Sequence, residues 1–307
     1  MNLIKTKDLY QQACQQSNDL HAISDDERVI LQNHLIKMYK EIESVCIKHN
    51  LTVMLAYGSV LGAIRHGGFI PWDDDMDLFM PRKDYELFIH RYSCELPGNL
   101  KVYAPNTKNK AISRFAKVVD TETKFLEAEA DDMDEPSQGV FVDIFPLDSI
   151  NNNSVQNKLK RYILMILMYI GSSVRQYNLN FCRYKKLMST SMPAKINYWL
   201  RHALGFCFSF WNFHKWYNII DNYCRCDLNT GYVADLLGTY EWKPIPNDVF
   251  LPPQKGVFEN MSVFLSNDPK KHLKIRYGNW HELPPESDRW QHYVNLLKIN
   301  QWEGTSD

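Results

Sequence analysis

A chain of 307 residues with 45% hydrophobic and 13% aromatic side chains can bury a substantial core, which excludes a disordered protein. Lysine plus arginine (35) nearly balances aspartate plus glutamate (36), so no net basic field advertises nucleic-acid binding, and any anion site must be local. Seven scattered cysteines, an odd number, speak against a disulfide framework and for a reducing cytoplasm.

The first residues, MNLIKTKDLYQQ, lack the apolar core of a signal peptide, and residues 1–24 read as a polar, loosely attached segment. Ser24 or Asp25 can cap a helix with Glu27 near its start, and apolar residues recur at helical spacing over 28–49. Residues 51–57, LTVMLAY, are β-rich and predict a strand. Gly58-Ser59 turns the chain into a short helix over 60–65. Its serine can cap that helix, and its exposed amides suit a phosphate. Gly67-Gly68 ends the helix.

Four carboxylates follow within five residues: Asp73, Asp74, Asp75 and Asp77. They lie between Trp72 and the apolar Leu78, Phe79 and Met80, which is unlike a solvated acidic turn. In a strand over 76–80, Asp75 and Asp77 share one face, Asp73 reaches it if the strand starts early, and Asp74 points away. Carboxylates paired on one face can hold a hard divalent cation such as Mg²⁺. Pro81-Arg82-Lys83-Asp84 then opens another helix. Short strands are predicted at 101–103, 113–118 and 124–126, and the acidic stretch 127–135 reads as a solvated loop.

Residues 139–148, GVFVDIFPLD, place Asp143 alone inside an apolar strand, where a carboxylate needs a partner. That partner is a buried arginine, a helix N-terminus, or the metal of Asp75 and Asp77. The metal is preferred, since three carboxylates from neighbouring strands make a natural divalent-ion site. From Asn151 the character changes. Residues 158–174 and 196–220 are long, apolar and aromatic, with basic flanks. The uninterrupted apolar core of the first is shorter than the roughly 20 residues a bilayer requires. Two readings stand: a helical subdomain packed on the core, the commoner arrangement, or helices lying in a membrane interface. A strand over 231–237, a hairpin over 256–265 and a helix from Asp268-Pro269 through Arg276 complete the chain. Cys224-x-Cys226 lacks zinc spacing and reads as structural.

Gly-Ser, a spacer, Asp-x-Asp on a strand and a later strand aspartate form the metal-site pattern of the nucleotidyltransferase superfamily that includes DNA polymerase β. The segments GSVLGAIRHGGFIPWDDDMDLFMPRKDYELF, FAKVVDTETKF, GVFVDIFPLD, FEN-x-x-VFL and LKIRYGNWHELPP together resemble the LicD family. That family is named for bacterial phosphocholine transferases and includes the fukutin-related proteins. The resemblance covers roughly residues 30–150 and 230–290.

It implies an α+β fold, a polymerase β-like mixed-sheet core with an inserted helical subdomain. The division is 1–27 N-terminal segment, 28–150 catalytic core, 151–230 helical insertion and 231–307 completing the catalytic domain. It implies transfer of phosphocholine or a related phospho-alcohol from a CDP-linked donor to a hydroxyl of a cell-surface glycan, such as lipopolysaccharide or teichoic acid, or its lipid-linked precursor. Such attack on a diphosphate requires its charge to be neutralised, which Mg²⁺ or Mn²⁺ does. Asp75 and Asp77 are the expected metal ligands, and Asp143 is third ligand or general base. Asp73 is a ligand or stands behind one. Gly58 and Ser59 are expected to contact donor phosphates. Arg65 and His66 can reach the leaving diphosphate, with an ion pair to the aspartates as the alternative for Arg65, and Lys117 is a phosphate contact. Choline calls for an aromatic cage, for which Trp72 and Tyr57 are candidates. Two other functions remain open: a nucleotidyltransferase passing NMP to a small acceptor, and an inactive relative serving as a binding subunit. The expected location is the cytoplasm, with peripheral contact at the inner face of the plasma membrane through 158–220 as the alternative.

Overall fold

Strand β3 (Asp77–Pro81) and strand β7 (Phe141–Ser149) form the centre of the protein. In the computed structural model, residues 6–15, 17, 20–110, 113–128, 138–226, 230–238, 242–285, 289 and 292–299 are described. The two central strands are parallel, with Asp77 beside Asp143 and Phe79 beside Phe145. Strand β2 (Met54–Leu55) flanks β3. Strands β5 (Ala116–Asp120) and β4 (Leu100–Tyr103) extend the sheet beyond β7, and β8 (Tyr232–Ala234) and β9 (Ile245–Pro246) continue from its end. These outer pairings are antiparallel, so the seven-stranded sheet is mixed. A second sheet joins β1 (His21–Ala22), β12 (Tyr293–Lys298) and β6 (Lys124–Glu127), and β10 (Gln254–Phe258) with β11 (Met261–Leu265) makes a hairpin. The expected mixed α+β architecture is observed.

Alternation along the central strands sorts their side chains. Leu78, Met80, Val142 and Ile144 enter the main core with Leu35, Tyr39 and Ile42 of helix α2 (Asp25–Lys48). Burying one such side chain fully contributes about 1.5–3 kcal/mol. Ser24 caps α2 through a capping box with Glu27, as its sequence predicts. Phe79, Phe145 and Leu147 face the other way into a second cluster with Val249 and Phe250. Asp77 and Asp143 belong to that second face.

Around the sheet stand α1 (Thr6–Gln15), α3 (Tyr57–Arg65), α4 (Arg82–Leu87), α5 (Ser154–Leu179), α6 (Cys182–Leu187), α7 (Met192–Cys207), α8 (Phe213–Cys224) and α9 (Pro269–Tyr277). Helices α5 and α8 share a cluster of their own, built on Leu164, Met168, Trp216 and Ile220. A buried network holds α8 to the central sheet. Arg82 donates to Asp148 at 2.7 and 2.8 Å and to Asp221 of α8 at 2.7 Å. Among the described residues, no helix is long and apolar enough to cross a membrane.

Several expectations require correction. The segment before α2 is not loosely attached where it is described. Ala13 and Cys14 of α1 are buried against Ala128 and Leu187, and β1 pairs with β12. An amphipathic turn with one small apolar face suffices for such docking. The predicted strand 51–57 is reduced to Met54–Leu55, because Tyr57 already begins α3. The apolar run 196–220 is two helices, separated at 208–212, where Asn212 caps α8. The strand predicted at 231–237 ends at Ala234. None of the seven cysteines forms a disulfide among the described residues, as the odd count suggested. The acidic stretch beyond Ala128 lies outside the described residues.

Candidate functional site

The carboxylates meet where β3 begins. Helix α3 starts at Tyr57 in a left-handed conformation (φ 41°), and its N-cap, Ala56, offers no side-chain cap. Ser59 therefore does not cap the helix as expected. It lies inside the first turn, and its hydroxyl accepts a hydrogen bond from the backbone N–H of Asp77 at 2.9 Å. Ala56 N–H donates to the Asp77 carbonyl at 2.8 Å. The turn and the strand thus hold each other. Gly58 packs directly against Asp73: a Cβ there would stand 2.8 Å from Asp73 Oδ2.

Asp73, Asp75, Asp77 and Asp143 form one electrostatic group. Burial first, then Asp75 and Asp74, holds the Asp73 proton well above the usual carboxylate range. Burial likewise raises Asp77, followed by the charges of Asp75, Asp143 and Asp73. Asp75 is raised by burial and by Asp74, against the pull of His292. Burial pushes Asp143 up to about 6, although Lys117 opposes it. Lys117 sits opposite Asp143 in the β5–β7 register. Its Nζ lies 3.1 Å from Oδ1 and 3.4 Å from Oδ2, and only the longer contact has hydrogen-bond geometry. The same ammonium stands 3.2 Å over the Phe141 ring. Asp143 therefore has a lysine partner, neither of the two protein partners the sequence suggested.

Asp73 to Met76 precede β3, so strand alternation does not order them, and Asp74 lies beside Asp75 but is engaged by His292. His292 holds it, with Nδ1 2.6 Å from Oδ1 and its backbone N–H donating to Oδ2 at 2.8 Å. Burial alone would lower the His292 pKa, but Asp74, Asp75 and Glu127 carry it to about 10. Ligand atoms of Asp74, Asp75 and His292 lie within 4.8 Å of one another. In the metal-free protein His292 and Asp74 form an ion-pair brace beside Asp75.

Asp73, Asp75, Asp77 and Asp143 are the second candidate for a divalent cation. Asp73 Oδ2 is buried without a hydrogen-bond partner, and burial followed by repulsion among the carboxylates raises the proton affinity of Asp73 and Asp77. Arg65 and His66 are not part of it. The Arg65 guanidinium donates to the carbonyls of Trp280 at 3.0 Å and Glu282 at 3.3 Å, and makes no ion pair with the aspartates among the described residues. Its position at the end of α3 directs it to the chain after α9.

Three groups near the carboxylates escaped the sequence reading. The Tyr277 hydroxyl of α9 is pushed up to about 12 by burial, then by Asp77 and Asp73 against Arg276. Arg276 stacks 4.4 Å over the Tyr57 ring. Both lie in the LKIRYGNW segment, which signals a helix but no chemistry. The third is Asp235. It lines a cavity of about 210 Å³ with Tyr57, Phe79, Trp242, Phe250 and Arg276. Phe79 is two residues along β3 from Asp77, so the cavity opens roughly 7 Å along the same sheet face. Burial raises Asp235 to about 6. Its Oδ1 accepts from Gly238 N–H at 2.8 Å, while Oδ2 and the Tyr57 hydroxyl are buried without partners and converge on Gly238. Trp72 is not a wall of this cavity. It carries Arg289 over its ring at 4.4 Å.

A protein of Haemophilus influenzae, the lipopolysaccharide cholinephosphotransferase LicD, is 26% identical over 263 residues, covering 83% of this chain and 92% of its own. Two uncharacterized proteins, RP689 of Rickettsia prowazekii and RT0683 of Rickettsia typhi, are 36% identical over 50 residues, 16% of this chain and 19% and 16% of theirs. Residues 50–163, which span α3, the acidic strand and Asp143, match the family described as LicD/FKTN/FKRP, nucleotidyltransferase domain. The chain therefore carries a LicD-family domain over residues 50–163.

Proposed function

We propose that this protein transfers phosphocholine, or a related phospho-alcohol, from a CDP-linked donor to a glycan hydroxyl. The observation that carries the reading is the register of β3 and β7, which sets Asp77 beside Asp143, with the charges of Asp75 and Asp73 acting on Asp77. The Haemophilus relative, a lipopolysaccharide cholinephosphotransferase by name, supports the cargo and the acceptor class. Asp75 and Asp77 would hold Mg²⁺ or Mn²⁺, with Asp73 as a further ligand or standing behind them. Such an ion supplies neutralisation of charge on the transferred phosphorus and on the departing CMP.

The chain's own groups account for the rest. The acceptor oxygen attacks the phosphorus bearing the alcohol, the bond to the CMP oxygen breaks, and the acceptor proton goes to a carboxylate. Asp143, with a pKa near 6, suits that proton at neutral pH. It stands either as this base or as a third ligand, and the metal affinity of Asp143→Asn separates the two. The first turn of α3, against Asp73, is suited to the donor phosphates. The neighbouring cavity suits a quaternary ammonium: Tyr57, Phe79, Trp242 and Phe250 give aromatic faces, and Asp235 Oδ2 gives an acceptor without a donor of its own. Arg276, between cavity and carboxylates, is placed for the phosphate.

The test is a donor screen with the full chain and Mg²⁺, with and without EDTA. Melting temperature and products are followed for CDP-choline, CDP-ethanolamine, CDP-ribitol, CDP-glycerol and CTP. A metal-dependent shift with one CDP-alcohol, with free CMP released and the phospho-alcohol joined to a glycan acceptor, is the expected result. Transfer of the nucleoside monophosphate itself would establish nucleotidyl transfer instead. Silence from every nucleotide would point to a binding subunit.

A further inference from the structure

The helices α5 to α8 carry a charge imbalance on their surface. Between Ser149 and Ile220 the chain has no aspartate or glutamate and ten lysines and arginines. The whole molecule has a formal charge of -1, so the excess is local. The acids that bracket the stretch, Asp148 and Asp221, are buried and paired with Arg82. Along α5, Val155, Leu159, Tyr162, Ile166 and Tyr169 recur at spacings of four and three residues and are between 42% and 74% exposed. Leu164, Met168 and Val174 fill the opposite, inner side. On α7, Ile196, Trp199 and Leu200 are exposed while Ala194 and Tyr198 are buried. Arg201 of α7 lies 5.4 Å over the Tyr169 ring and joins the two runs. Thirteen of the twenty exposed large apolar side chains among the described residues fall between Val155 and Trp211.

We propose that this face docks on an anionic lipid bilayer, with α5 and α7 lying in the plane of the headgroups. Charge selects this occupant. A second copy would set ten cations against ten in a self-complementary contact. A neutral apolar partner would cover the stripe and leave the cationic excess without a counter-charge. Anionic headgroups meet the lysines and arginines, while the apolar stripe and Trp199 enter the headgroup–acyl boundary. The helices are too polar to cross a membrane, which fits a surface position. The docking does not depend on the reaction proposed above.

Flotation of the purified full chain with vesicles tests it. One set contains phosphatidylglycerol and phosphatidylethanolamine, the other phosphatidylcholine alone. At least about tenfold more protein is expected on the anionic set, declining as salt is raised. Leu159→Glu with Ile166→Glu should remove at least about nine-tenths of the bound protein at an unchanged melting temperature. If that variant unfolds, the exposed pair Lys158→Glu with Lys195→Glu serves in its place, with the same expectation. Failure to float with anionic vesicles, equal binding to both sets, or binding untouched by the folded variants overturns the proposal. A solution dimer that Leu159→Glu with Ile166→Glu converts to monomer assigns the face to a second copy and equally overturns it.

Discussion

Gly58 has no spare room, because Asp73 Oδ2 occupies the place beside it. Gly58→Ala should displace Asp73 and lower turnover several-fold while costing only about 1 kcal/mol of stability, read by kinetics and urea unfolding side by side. Asp77→Asn and Asp143→Asn should each reduce turnover more than about 100-fold. Both should melt at the same temperature as the parent or higher without metal, since repulsion among the carboxylates is relieved. Unfolding of these variants would make the aspartates structural. His292 predicts a pH effect. Its pKa is raised from 6.5 to about 10, so the folded chain holds the proton more tightly than the unfolded one. The stabilisation is complete below pH 6.5 and is lost as pH rises through about 10. Melting of metal-free protein should fall across that interval, and His292→Gln should flatten the fall. The pairing of Asp77 with Asp143 follows from two apolar strands that each carry a carboxylate, a pattern visible in the sequence, whereas Asp75 lies before the strand and outside its alternation. His292 was not legible there, since its partner Asp74 is 218 residues away.

At the scale of elements, caps and breaks decided boundaries. Ser24 with Glu27 gave the start of α2 away, whereas Ser59 misled, because a serine after glycine caps a helix only if the backbone turns there. Here the helix has already begun at Tyr57, and the hydroxyl is taken by β3. The join between α8 and the sheet rests on Arg82, a residue whose sequence context suggests only the start of a helix. Arg82→Met leaves Asp148 and Asp221 buried beside each other without their shared cation. It should cost about 3–5 kcal/mol in urea unfolding at neutral pH. The loss should shrink below pH 6, where Asp148, already raised to about 6, protonates.

For the molecule as a whole, mixed charge and free thiols describe a protein stabilised by its apolar clusters. The seven cysteines form no disulfide among the described residues, and Cys14, Cys46 and Cys224 are buried. Adding reductant should leave the unfolding midpoint unchanged, and a shift would reveal a disulfide. The uneven distribution of charge is invisible in the net value, and only the placement of α5 and α7 turns it into a surface.

The sequence by itself determined the acidic strand, the partner strand of Asp143, the capped helix before them and the hairpin and helix after them. Each depends on neighbours within a few residues, where periodicity and capping chemistry act. Only the tertiary structure decided that Lys117 faces Asp143, that Arg65 donates to the carbonyls of Trp280 and Glu282 after α9, and that Asp235 lines an aromatic cavity along the same sheet face. Those outcomes follow from contacts between distant segments, which burial and sheet register select and local pattern does not encode.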